Sequence, residues 1–252
     1  MGKRNLVVFG GSPKSQPLID WLVPNQIYWI NDVSTKDKYI EVLSSINHQI
    51  SDVICVNWPY ITPESNLTYR NIYTIHESLL PSFSGCAPVN WAICEGSSLF
   101  GITLFRQSSA VDAGDLLFQD GFYMNAANAI SVFKRMEACY KKCADFILAN
   151  NLGDSGAIAD FGQRSYYSKR APSDNVVSDG FDPHRLVNLF LSTTLDYPLI
   201  FKSASGCYNI YSINIFGEFI DYLPLGETPR NASKIEFFNR NFTLYGVKSS
   251  DQ

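Results

Sequence analysis

The chain has 252 residues, 46% of them apolar and 14% aromatic, and carries a formal net charge of −4 with a pI near 5.4. That length buries a sizeable core without staples and fits one large domain, or one domain with a smaller companion. The acidic balance argues against a nucleic-acid partner, whose phosphates call for a basic surface. No run is long and apolar enough to cross a membrane. Met1-Gly2-Lys3-Arg4 leads straight into an apolar run, so no secretory leader is expected. The six cysteines (Cys55, Cys86, Cys94, Cys139, Cys143 and Cys207) contain no Cys-x-x-Cys pair. They read as free thiols of a cytoplasmic protein that binds no metal.

Asn5–Phe9 is an apolar run ending at Gly10-Gly11, which predicts a buried strand, and a helix follows over Pro17–Leu22. Gly10-Gly11-Ser12 is not a dinucleotide fingerprint. Gln26–Ile30 reads as the second strand. Lys36–Ile46 reads as a helix, with Tyr39, Val42, Leu43 and Ile46 on one face. A third strand, Asp52–Asn57, runs into Trp58-Pro59-Tyr60-Ile61-Thr62-Pro63. Asn71–Ile75 is the next strand and sets His76 at its carboxyl end, where ligands of open α/β sheets bind.

Ser84–Pro88 is a turn, and Val89–Glu95 a short helix presenting Trp91. Gly101–Phe105 is a strand leading to Asp112. Leu116–Phe118 and Gly121–Met124 continue as two further β runs. Ala129–Ala149 carries the longest helical pattern. Gly, Ser, Asp and Ala gather over Asn151–Asp160, which places a domain boundary near residue 160. Beyond it come a helix over Asp182–Thr193 and strand-like runs at Cys207–Ile215, Glu218–Tyr222 and Asn239–Val247. These predict a small β-rich C-terminal module on residues 161–252.

The chemistry gathers in two places. Ile75-His76-Glu77-Ser78-Leu79-Leu80-Pro81 is followed by Gly85, Ala87 and Pro88, and then by Val111-Asp112-Ala113-Gly114-Asp115. A His and a carboxylate delivered from two strand ends can move a proton together. Asp112 before Gly114 also serves a tight turn, and both roles can hold at once. No second base is placed to make Ser78 a nucleophile. His48 and His184 have no motif around them and read as surface or packing residues.

These segments resemble the N10-formyltetrahydrofolate-dependent formyltransferases, whose pattern runs Asn-x-His-x-Ser-Leu-Leu-Pro, a Gly-rich loop, then Asp-x-Gly. The resemblance implies an α/β fold with a Rossmann-like, mostly parallel sheet flanked by helices, on residues 1–160. It implies formyl transfer from N10-formyltetrahydrofolate to a primary amine through a tetrahedral intermediate. His76 would act as base, Asp112 would orient it or relay a proton, and Tyr60, Ile61, Val111, Asp112 and Gly114 would hold the folate. Thr74 stands where the family has Asn, so its hydroxyl is either the donor to the formyl oxygen or an ordinary strand residue. Ser165–Pro172 resembles the linker of relatives with nucleotide-sugar or tRNA substrates. It makes Tyr166, Tyr167 and Lys169, with Ser78 and Trp91, candidates for the acceptor. The acidic pI and the C-terminal module favour a nucleotide-linked amino sugar used in surface polysaccharide synthesis over methionyl-tRNA or glycinamide ribonucleotide. The resemblance also implies a homodimer. Thr74 leaves open a degenerate homologue that binds nucleotide sugar without turnover.

Overall fold

The structure, a computed structural model, describes residues 6–10, 16–22, 28–30, 35–46, 52–63, 71–125, 127–158, 163–193, 198–221, 231–237 and 242–249. In chain order the first elements are β1 (Leu6–Phe9), α1 (Gln16–Leu22), β2 (Tyr28–Ile30), α2 (Lys36–Ser45), β3 (Asp52–Val56) and β4 (Asn71–His76). Next come β5 (Ser84–Gly85), α3 (Pro88–Cys94), β6 (Leu99–Arg106), β7 (Leu116–Tyr123), α4 (Ala129–Ala149) and β8 (Tyr166–Tyr167). Then follow β9 (Val176–Ser178), α5 (Pro183–Leu191), β10 (Ile200–Ser203), β11 (Gly206–Ile215), β12 (Glu218–Asp221), β13 (Ser233–Phe237) and β14 (Phe242–Lys248). The two β runs expected after Asp112 are one strand, β7, and Asn239–Asn241 of the last expected strand lie outside the described residues.

The chain divides into two compact units. Unit 1 takes in residues up to Pro88, Leu99–Tyr123 and Val132–Tyr167. Its sheet has the order β2-β1-β3-β4-β6-β7, parallel from β2 to β4 and antiparallel across β4-β6 and β6-β7. Only β6 therefore runs against the others, as the expected mostly parallel sheet requires. β1 and β3 are buried at every position, which is why Leu-Val-Val-Phe and Asp-Val-Ile-Cys-Val read as continuous runs and not as alternations. Thr35 caps α2 by accepting from the Lys38 amide, and Tyr39 and Leu43, one turn apart, bury against Phe9, Val53 and Cys55.

The segment after His76 is clamped to the β6–β7 hairpin. Thr103, fully buried on β6, accepts from the Leu80 amide at 3.0 Å and donates to the Ser78 carbonyl at 2.7 Å. Gln119 on β7 donates to the Leu80 carbonyl at 2.7 Å and to Thr103 Oγ1 at 2.9 Å. A turn that would otherwise carry orphaned backbone groups is thus satisfied from the sheet beside it.

Unit 2 takes in Val89–Ser98, Met124–Ser131 and Ser168–Gln252. Its sheet runs β13-β14-β11-β10-β9, with β12 paired to β11, and Leu186, Leu189 and Phe190 of α5 share a core with Phe201, Ile210, Ile213 and Leu244. Asp182 caps α5 through the His184 amide, with Pro183 at the first helical position. The buried Arg170 guanidinium donates to Ser192 and Asn175 and lies 5.2 Å from the Trp91 ring centroid.

Replacing Thr103 by Val keeps the shape but leaves the Leu80 amide without its acceptor. Thr103→Val is expected to lower stability by about 1–3 kcal/mol, read as a fall in the urea midpoint at unchanged m-value. An unchanged midpoint would mean the clamp is not made.

Candidate active site

A cavity of about 500 Å³ opens in unit 1 at the carboxyl ends of β3 and β4, within the size range of small-ligand sites. Its floor is the row Thr74, Ile75, His76 and Glu77; Asn57–Thr62 line one side, Gly85–Pro88, Gln107, Ser108 and Ala110–Asp112 others, with Tyr166 at the edge. An aromatic cluster holds the first wall: Trp58 lies 5.2 Å from Phe9 and 5.5 Å from Tyr60, and Tyr60 stacks on Tyr39. Ile61 and Val111 are exposed beside it.

His76 is buried, and its Nε2 lies 2.9 Å from the Phe83 carbonyl oxygen. A carbonyl can only accept, so Nε2 carries a proton, and in the neutral ring the lone pair lies on Nδ1. Nδ1 faces Asp112 Oδ2 at 3.7 Å, too long for a direct hydrogen bond and suited to one that forms when Nδ1 gains a proton. The same Oδ2 accepts from the Gly85 amide at 2.7 Å, which fixes the carboxylate. Gly85 can sit there only because it lacks a side chain. It has φ +99°, and a Cβ would stand 2.1 Å from the Tyr167 carbonyl oxygen. That carbonyl accepts from the Cys86 amide, in the short β5–β8 pairing that also carries Tyr166 to the cavity.

Asn57, Ala87 and Asp112, all cavity-lining, have left-handed backbones at φ 48°, 51° and 46°. Such conformations cost roughly 1–3 kcal/mol each and gather where function demands them. Asn and Asp tolerate them better than Ala does.

Four groups missed in the sequence complete the site. Glu77, within the motif, accepts from the Tyr140 hydroxyl at 2.8 Å, and the Asn57 amide, when oriented with its nitrogen toward Glu77, donates to both its oxygens at 3.2 Å. Burial first, and the Glu77 carboxylate second, push the Tyr140 phenol well above its ordinary value, so it stays a donor. Gln107 donates to Thr74 Oγ1 at 2.6 Å. Only Glu77 had a local signal, its place beside His76; the others depend on where loops and α4 arrive.

The remaining expected residues are placed as follows. Thr74, His76, Asp112, Tyr60, Ile61, Val111 and Tyr166 line the cavity together. Gly114 does not; it packs where a Cβ would stand 1.5 Å from the Arg106 carbonyl oxygen. Ser78 is buried and donates to the Ser82 carbonyl at 2.7 Å, within the loop. Tyr167 stacks on Phe83. Trp91, which donates to the Ser168 carbonyl, and the exposed Lys169 belong to unit 2. His184 is exposed, and His48 lies outside the described residues.

Residues 26–136 match the model of the formyl transferase family. Over that stretch, which holds His76 and Asp112, the chain is similar to formyl transferases. The bifunctional polymyxin resistance protein ArnA of Wigglesworthia glossinidia brevipalpis is 28% identical over 174 residues, 66% of this chain and 26% of that protein. The chain thus spans about a quarter of that relative. HypX of Aquifex aeolicus, solved with tetrahydrofolic acid, shares the fold at TM-score 0.75 and 16% identity, over 97% of this chain and 44% of that one. An N-formyltransferase from Helicobacter canadensis, solved with folinic acid and dTDP-3-aminofucose, matches at TM-score 0.68 and 14% identity, over 98% of this chain and 100% of that one. The chain thus resembles formyl transferases over residues 26–136 and shares its fold with these solved structures.

The thiols give a direct check of the site. Cys86 is exposed on the cavity wall, whereas burial, offset in part by Tyr39 and Gln107, pushes the Cys55 thiol up to about 12. Because the thiolate is the nucleophile, iodoacetamide at about pH 8 is expected to alkylate Cys86 and spare Cys55 in the native protein. Peptide mass mapping reads this, and equal labelling of the two would contradict the geometry.

Proposed function

We propose that the protein transfers a formyl group from N10-formyltetrahydrofolate to the primary amine of a nucleotide-linked amino sugar. The observation that carries the reading is the His76–Asp112 pair, with its free Nδ1, on the floor of a cavity of about 500 Å³ at the sheet's carboxyl edge. The folate supplies the formyl carbon. Trp58 and Tyr60 offer aromatic wall for a pterin-sized group, and Ile61 and Val111 flank the mouth.

In the step, the amine nitrogen attacks the formyl carbon. His76 Nδ1 takes a proton from that nitrogen, and Asp112 Oδ2 becomes the acceptor for the new Nδ1–H. The Thr74 hydroxyl donates to the formyl oxygen as negative charge gathers there. The bond from carbon to N10 then breaks, and Nδ1 returns the proton to N10. Tetrahydrofolate and the formylated amine leave with the site as it began. Tyr166, at the cavity edge, serves the acceptor, and the product feeds surface polysaccharide synthesis. The catalytic part is residues 1–160, in a cytoplasmic homodimer. Thr74 keeps a hydroxyl aligned by Gln107, which supports turnover over a silent binding protein.

Purified protein should release tetrahydrofolate from N10-formyltetrahydrofolate with one member of a panel of nucleotide-linked amino sugars. His76→Ala and Asp112→Asn should each lower kcat by on the order of 10²–10⁴, with little change in the KM for the donor. Turnover with methionyl-tRNA alone would reassign the acceptor. Turnover unaffected by His76→Ala would overturn the mechanism.

A further inference from the structure

The sequence lacks the carboxamide that its relatives' pattern places two residues before the histidine, yet the cavity contains two, Asn57 beside Glu77 and Gln107 beside Thr74. Gln107, just past the end of β6, lines the cavity and donates through Nε2 to Thr74 Oγ1 at 2.6 Å. Its backbone is fixed, because its amide donates to the Ile72 carbonyl at 2.8 Å. Its side chain also lies against the Cys55 thiol, which is fully buried. Cys55 pairs with Thr74 across β3 and β4. The carboxamide is thus held in one pose between two strands.

A threonine hydroxyl has one proton and two lone pairs. With the Gln107 N–H on a lone pair, the Thr74 proton cannot point back at Gln107. Among the hydrogen bonds of the described residues, no acceptor takes that proton. Thr74 and His76 stand on the same face of β4, since strand side chains alternate. The proton is therefore available on the side where the base works.

We propose that Gln107 is a positioning residue that turns the Thr74 hydroxyl into the donor for the formyl oxygen, replacing the missing carboxamide at position 74. This rests on the formyl-transfer reading above. Gln107 acts through Thr74 and does not itself touch the reacting atoms.

The test uses Gln107→Glu, which keeps the shape but offers a carboxylate that captures the Thr74 proton. It is expected to lower kcat on the order of 10²-fold while the KM for the formyl donor stays the same. In a Thr74→Val background Gln107→Glu should add nothing, and Thr74→Ser should retain activity. A second readout needs no turnover. A stable N10-formyl folate analogue labelled with ¹³C at the formyl carbon should show its carbonyl stretch lowered on binding wild type, and not on binding Gln107→Glu. Failure of wild type to bind the analogue would sink the formyl-transfer reading itself. Binding with the same stretch in both proteins, or losses from the two substitutions that simply multiply, would overturn the role of Gln107 alone.

Discussion

The hydrogen bond from His76 Nε2 to the Phe83 carbonyl, 2.9 Å long, decides what this site can do. It assigns the ring's proton to the side away from Asp112 and leaves Nδ1 as the base. It exists only because the chain after β4 folds back on the strand it has just left. Thr103 and Gln119 hold that return from the β6–β7 hairpin, and Ser165 holds it again by accepting from the Phe83 amide at 2.8 Å. A histidine on a strand end with a free loop would have no fixed tautomer. Stability of the loop and chemistry of the base are one constraint here.

The carboxylate depends on a different backbone feature. Asp112 turns into the left-handed region and takes the Gly85 amide, and Gly85 is admitted by the close β5–β8 pairing. His76 and Gly85 thus meet the distant Asp112 around one oxygen atom, and Tyr167 pairs with Gly85 behind it. None of them alone fixes the distance between Nδ1 and Oδ2. The 3.7 Å gap suits a contact made during the reaction better than one made before it.

Much of this was legible in the sequence. Uninterrupted apolar runs marked β1 and β3, helical spacing marked α2 and α4, and the two motifs located His76 and Asp112. His76 ends β4, so the side of the sheet bearing it followed from topology, whereas Asp112 sits in the loop between β6 and β7. The rest was not legible because it is set by long-range arrival. Gln107 sits in a polar stretch with no periodicity, and its meaning appears only when β6 lies beside β4. Tyr140 reads as one more apolar position on α4, yet its hydroxyl is what orients Glu77. Ser78 illustrates the converse. A motif residue that looks available is consumed by its own loop.

The tautomer of His76 is the claim on which the account stands, and nuclear magnetic resonance reads it directly. A long-range ¹H–¹⁵N correlation spectrum of ¹⁵N-histidine protein, with the His76 signals identified by their loss in His76→Gln, should be recorded near neutral pH. The account predicts the neutral form protonated at Nε2, with Nδ1 showing the shift of a bare imidazole nitrogen. A neutral ring protonated at Nδ1 would place the lone pair against the Phe83 carbonyl and contradict both the site geometry and the assignment of His76 as base.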